Sequence, residues 1–218
     1  RAYYLFRLLS LGYLSKISRK ILKSLIDINF PIDSLVFKTI YPQFCGGRDI
    51  IECIDVIENL KRNNVYSILD YSAEGSLTEV DFERSMNKCL HILCECKSND
   101  LSRFIVFKPS AVGRFSLYEK VSSKLKLSPD ESDEWNRIEK RFEKICSEAS
   151  KLNIMVLVDA EESWIQPAID ELVIKMMKKF NSKNPVVYNT IQAYRRDRYD
   201  YLEKLHNEHS GKIKIGVK

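Results

Sequence analysis

The chain has 218 residues, 44% hydrophobic and 30% charged, which suits a globular protein with a sizeable core. It has only seven glycines, and neither G-x-G-x-x-G nor G-x-x-x-x-G-K-[ST] occurs, which excludes a Gly-rich phosphate loop. The formal net charge of +5 sits wholly in residues 1–30, which hold six basic residues and the single acid Asp27. The remainder balances at 29 basic and 29 acidic groups, so the main body has no bias toward nucleic acid.

In chain order, residues 3–28 read as a helix, with Leu11, Leu14, Ile17, Ile21, Leu25 and Ile28 recurring every three or four positions. Pro31 stops that pattern, and Phe44-Cys45-Gly46-Gly47 marks a turn. Arg48–Asn63 reads as a second helix with Ile51, Ile54, Ile57 and Leu60 on one face. Residues 1–64 thus form a helical leading segment. From residue 65 short β-rich runs alternate with amphipathic helices. Val65–Tyr71 is the first strand, and Ser76-x-x-Glu79 is a capping box that opens a helix to about Lys97. Phe104–Lys108 is the second strand, with a short helix near Leu117–Leu125 after it. Ser128-Pro129-Asp130-Glu131 starts a helix carrying Trp135, Ile138, Phe142, Ile145 and Leu152 on one face. Ile154–Asp159 is the third strand, apolar on both faces as a buried parallel strand is. A helix over 165–180, a strand over 185–190, a helix over 193–207 and the start of a fifth strand over 213–218 complete the chain.

This βα succession is the signature of a parallel sheet. Doubly wound and barrel forms both fit; the lack of a Gly-rich first turn favours a barrel. A (β/α)8 barrel needs eight strands and typically ~250 residues, so residues 65–218 supply its first four to five βα units. The chain begins at Arg1 and stops within an apolar-rich stretch, so both ends read as cut. Six cysteines without a secretory signal read as reduced thiols in a cytoplasmic-type compartment. Cys89-x-His91-x-x-Cys94-x-Cys96 lacks structural-zinc spacing, and no metal is expected. The basic leading helix leaves peripheral contact with an anionic membrane surface open.

Barrel active sites lie at the carboxyl ends of the strands. Here those ends deliver Asp70, Lys108, Asp159, Gln192 and Lys218 to one rim. Lys108 follows four apolar residues and reads as a lysine leaving the core, a cation for a substrate carboxylate, or a Schiff-base lysine. Asp159 ends a wholly apolar strand, so it must be solvated, paired or used. It could also cap the following helix; Asp70 shares that ambiguity. Gln192 either starts a helix or hydrogen-bonds a ligand.

Four blocks carry a family resemblance. Asp70-Tyr-Ser-Ala-Glu-Gly75, Phe107-Lys-Pro-Ser-Ala111, the run from Val158-Asp-Ala-Glu-Glu to Asp170, and Tyr188-Asn-Thr-Ile-Gln-Ala-Tyr194 resemble consecutive blocks of the proline dehydrogenases. Phe44-Cys-Gly-Gly47 resembles a segment of monofunctional bacterial-type members, and Gly216-Val-Lys218 the start of the next block. The match covers about residues 40–218 and implies the N-terminal half of a distorted (β/α)8 barrel. It also implies FAD as cofactor, L-proline as substrate, 1-pyrroline-5-carboxylate as product, and a quinone or other electron acceptor. By the same resemblance Lys108 matches the lysine on the proline carboxylate and Asp159 the acid beside flavin and substrate. Ala160 matches a backbone flavin contact, Gln192 a side-chain flavin contact, and Asp70 a pocket-lining position. Lys218 stands where related enzymes carry arginine, keeping the charge but losing the planar fork. The family's arginine pair, aromatic lid and adenosine-binding strands would lie beyond Lys218, so the isolated chain is expected to bind FAD weakly at most and not to turn over. Two rivals remain at this point: a Schiff-base aldolase built on Lys108, and a non-catalytic half-barrel that serves binding or assembly.

Overall fold

A computed structural model describes residues 3, 7, 10, 20, 23, 24, 31, 33–39, 41–70 and 77–218. Most of the expected helix over 3–28, the Ser76 cap and residues 71–75 of the first family block lie outside these. Two compact units divide the chain, one up to Asn59 and one from Leu60 to Lys218.

In the first unit, α1 (Asp33–Thr39) and α2 (Tyr41–Phe44) are short. α3 (Ile50–Arg62) is two residues shorter than expected at its start. Asp49 accepts a hydrogen bond from the Glu52 amide at 3.0 Å, as an N-cap does, which sets that start. Its buried face also differs: Ile50 and Ile57 are buried, whereas Ile51 is 73% exposed.

The second unit is a four-stranded parallel sheet in the order β1-β2-β3-β4 with helices between the strands. β1 (Leu69–Asp70) is much shorter than the expected run from Val65. Val65, Tyr66 and Ile68 are about half exposed or more, so apolar character there does not translate into pairing. α4 (Glu79–Ser98) is capped by Thr78, whose hydroxyl accepts from the Asp81 amide at 3.2 Å. That cap replaces the Ser76-based start read from the sequence. β2 (Phe104–Phe107) leads into a 3-10 turn (Pro109–Ala111) and α5 (Phe115–Ser122).

α6 (Pro129–Leu152) begins with a complete capping box. Ser128 accepts from the Glu131 amide at 3.3 Å, and Glu131 accepts from the Ser128 amide at 2.8 Å and from Lys120. The Lys120 hydrogen bond and the capping amide hold the Glu131 carboxyl down at about 2. Its folded value lies below the unfolded one, so its stabilisation is complete above pH 4.5 and is lost as pH falls toward 2. Ser128→Ala should cost about 1 kcal/mol and lower Tm by roughly 2–4 °C in thermal unfolding. An unchanged Tm would show that the box does not hold this helix start.

β3 (Met155–Val158) and β4 (Val187–Asn189) flank α7 (Gln166–Phe180), and α8 (Asp197–His209) follows β4. α8 starts four residues later than expected, because residues 192–195 close a turn through Arg195 N to Gln192 O. The expected fifth strand is reduced to a parallel bridge between Asn189 and Val217. Asn181 holds that segment. Fully buried, its amide donates to Val187 O and Lys214 O at 2.8 Å and accepts from the Val186 and Val187 amides. Gly216 allows the approach, since a Cβ there would sit 2.6 Å from Val187 O.

The strands alternate, so each sheet face takes every second residue. Ile105, Phe107, Val156, Val158 and Val187 are at most 1% exposed, and Phe107 meets Phe142 of α6 edge-on at 5.1 Å. This is the helix-covered face. The other face carries Phe104, Val106, Met155, Leu157 and Tyr188 and is less deeply buried. Cys89 and Cys96 point into the core, where burial pushes their thiols up to about 12 and 11, while Cys94 is exposed. Among the described residues no helix is long and apolar enough to cross a membrane.

Candidate active site

The registers place the strand-end residues without reference to chemistry. Phe107 pairs with Val158, and Val158 with Asn189, which bridges to Val217. One residue further along every strand puts Lys108, Asp159, Thr190 and Lys218 side by side on the face away from the helices. Asp70 pairs with Val106, so it shares that face one layer below Lys108. A two-residue period thus gathers three charged groups from sequence positions 108, 159 and 218.

Those three groups touch. Lys218 Nζ donates to Asp159 Oδ1 at 2.8 Å, and Lys108 Nζ lies 3.6 Å from Asp159 Oδ2. The Lys108 and Asp159 side chains are only 20% and 21% exposed, against 39% for Lys218. One carboxylate therefore sits between two ammonium groups. Thr190, which the sequence did not single out, donates from Oγ1 to Val158 O at 2.7 Å and fixes the β3–β4 edge of this layer.

Beside this layer lies an open cleft of ≈ 520 Å³, lined by Lys108, Ser110, Phe115, Ala160, Glu161, Glu162, Gln192 and Tyr194. Ala160 and Gln192 thus meet Lys108 at one surface, whereas Asp70, Asp159 and Lys218 do not line it. Gln192 donates to Glu161 O at 2.7 Å and accepts from Arg195 at 3.0 Å, which leaves one of its N–H groups available. The Ala160 amide has no hydrogen-bond partner among the described residues. Glu161 accepts from the Ser110 amide at 2.8 Å and from the Ser110 hydroxyl. Burial raises its carboxyl above the usual carboxylate range, and the Ser110 hydrogen bonds partly offset that.

A buried network underlies the cleft. Asp170 takes both guanidinium arms of Arg198 at 2.8 and 3.0 Å, the Asn189 amide at 2.8 Å and the Gln166 amide at 3.0 Å. Arg198 also stacks on Tyr201 at 3.9 Å. Gln166 accepts from the Glu161 amide at 3.2 Å, which connects the network to the cleft. Sequence reasoning reached Asp170 only as the end of a family block and did not reach Arg198 or the role of Ser110. Their signal is spatial: partners 28 and 51 positions apart leave no local pattern.

The family model for proline dehydrogenase matches residues 53–218. The chain belongs to the proline dehydrogenase family. It is similar to the carbapenem antibiotics biosynthesis protein CarD of Pectobacterium carotovorum subsp. carotovorum, 32% identical over 169 residues that cover 78% of this chain and 45% of that protein. Against the mitochondrial proline dehydrogenase 1 of Arabidopsis thaliana the identity is 26% over 225 residues, covering 84% and 45%. The chain spans a little under half the length of these curated relatives. A solved structure of proline utilization A from Bdellovibrio bacteriovorus superposes with a TM-score of 0.67 at 14% identity, over 80% of this chain and 19% of that one. That likeness concerns the fold, and it makes the parallel sheet of this proline dehydrogenase-family chain part of a (β/α)8-type barrel.

Proposed function

We propose that this chain supplies the Lys108–Asp159–Lys218 wall of an FAD-dependent enzyme that oxidises L-proline to 1-pyrroline-5-carboxylate. The observation that carries the reading is the single carboxylate held between two lysines at the strand ends of a chain of this family.

Proline is a zwitterion, so its site needs a cation for the carboxylate. Lys108 is the group for this, because its contact with Asp159 is the longer of the two ion pairs. The substrate carboxylate would pair with the Lys108 ammonium, while Lys218 keeps Asp159 in place. The ring nitrogen must also lose its proton before the adjacent carbon gives up hydride. The donor set suits the cofactor: Ala160 offers a backbone amide with no partner among the described residues and Gln192 a side-chain amide, both on the cleft that Lys108 lines. Ala160 and Gln192 would hold FAD, which would supply a hydride acceptor and a route for electrons to a quinone or other acceptor. Lysine and amide donors on this rim favour the negative charge that a reduced flavin gains.

L-proline added without oxygen to the flavin-loaded full-length protein should bleach the visible flavin absorbance and yield 1-pyrroline-5-carboxylate. Unchanged absorbance would overturn the reading. No observation favours the aldolase rival, but borohydride trapping of a substrate on Lys108 would restore it.

A further inference from the structure

We propose that Glu161 is a positioning residue that ties the turn carrying Lys108 to the turn carrying Gln192, and so sets the distance between the substrate cation and the amide beside the cofactor. This rests on the proline-oxidising reading above.

Each polar group of Glu161 reaches a different element. Its carboxylate accepts from both the amide and the hydroxyl of Ser110. Ser110 lies in the 3-10 turn that Lys108 opens, closed by Ala111 N to Lys108 O at 3.0 Å. The Glu161 carbonyl accepts from Gln192 Nε2 at 2.7 Å, beyond the end of β4. Its amide donates to Gln166, which is fully buried and hydrogen-bonded to Asp170. One residue therefore connects the loops after β2, β3 and β4 with the first turn of α7. A carboxylate facing a partly buried cleft is costly to desolvate. Its two side-chain oxygens both engage one serine, and this pair of hydrogen bonds holds the Lys108 turn in a single orientation. A misplacement of about 1 Å in a group that positions substrate can cost up to about 100-fold in activity.

The test compares Glu161→Ala, Glu161→Gln and Ser110→Ala in the flavin-loaded full-length protein. Glu161→Ala should raise KM for L-proline by roughly tenfold and lower kcat much less. Hydrogen exchange should quicken together at residues 108–112 and 190–193. Glu161→Gln should recover most of the KM, since its amide oxygen still accepts from the Ser110 amide and its NH2 can donate to the hydroxyl. Ser110→Ala, which removes only the hydroxyl bond, should raise KM by a smaller factor and serves if Glu161→Ala fails to fold. The proposal is overturned by a KM for Glu161→Ala within twofold of wild type, or by exchange that quickens at one turn without the other. It is also overturned if Glu161→Gln is as impaired as Glu161→Ala. A wild-type protein that L-proline does not reduce sinks the underlying reading, and hydrogen exchange then decides the tie by itself.

Discussion

Asp159→Ala should lower kcat/KM for L-proline by roughly a hundredfold or more while leaving the protein folded. Asp159 is the only carboxylate with ion pairs to both Lys108 and Lys218 among the described residues, at 3.6 and 2.8 Å. Without it the two ammonium groups repel, and each turns toward solvent. The substrate carboxylate then lacks a fixed cation, and the reacting carbon loses its alignment. Misplacement of about 1 Å suffices for a loss of this size. Stability should change far less, because Lys218 is 39% exposed and water reaches the layer. Asp159→Asn keeps the shape and one acceptor but loses the charge, and should fall between wild type and alanine. Steady-state kinetics with circular dichroism checks this. A folded Asp159→Ala protein with wild-type kcat/KM would show that the lysine–aspartate cluster is not part of the reacting site.

Asp170→Ala should destabilise the fold by about 3–5 kcal/mol, the usual cost of removing one partner from a buried ion pair. For a chain of this size that lowers Tm by roughly 6–20 °C. The side chains of Asp170 and Arg198 are 7% and 5% exposed, and the carboxylate is the acceptor for four donors. Truncation strands a buried guanidinium whose Nε has no partner among the described residues, frees the Gln166 amide and leaves the Asn189 side-chain amide only its hydrogen bond to Tyr201. Because Asn189 also hydrogen-bonds Lys218 and Gly216 through its backbone, the loss should spread to the bridge that carries Lys218. Exchanging the pair for apolar residues of similar volume, Asp170→Leu with Arg198→Met, should cost much less, since no uncompensated charge is left. Thermal unfolding of the single and double variants distinguishes a paired charge from mere packing. A single-variant loss below 1 kcal/mol would contradict the network described here.

How much of this was legible in the sequence follows from the range of each interaction. Met155–Val158 was readable because a strand buried on both faces must be apolar throughout. Lys108 and Asp159 were readable for the same reason: a charge ending such a run has to leave the sheet at its carboxyl end. Ser128-Pro129-Asp130-Glu131 was readable because capping is local chemistry. By contrast, Val65–Ile68 carries β-branched and aromatic residues yet does not pair, since strand formation depends on a partner as well as on propensity. The cap of α4 at Thr78 lies two residues past Ser76, and both residue types suit an N-cap, so the local pattern does not choose between them. Glu161 was visible as one acid of an acidic pair, but its three hydrogen-bonding directions belong to the folded loops. Arg198 lies in a polar stretch with Arg195, Arg196 and Asp197, and nothing local separates the buried arginine from its less buried neighbours.

The most direct test of the central claim is the flavin-reduction half-reaction of Lys108→Met in the full-length, flavin-loaded protein. Methionine keeps the length and the apolar stem of lysine but removes the cation. The proline concentration for half-maximal reduction should rise roughly 30-fold or more, the ~2 kcal/mol or greater loss expected when a substrate carboxylate loses its cation. Flavin content should stay near that of wild type. Reduction of Lys108→Met by L-proline at wild-type concentrations would contradict the assignment of Lys108, and with it the reading of the strand-end lysine–aspartate layer as the proline site.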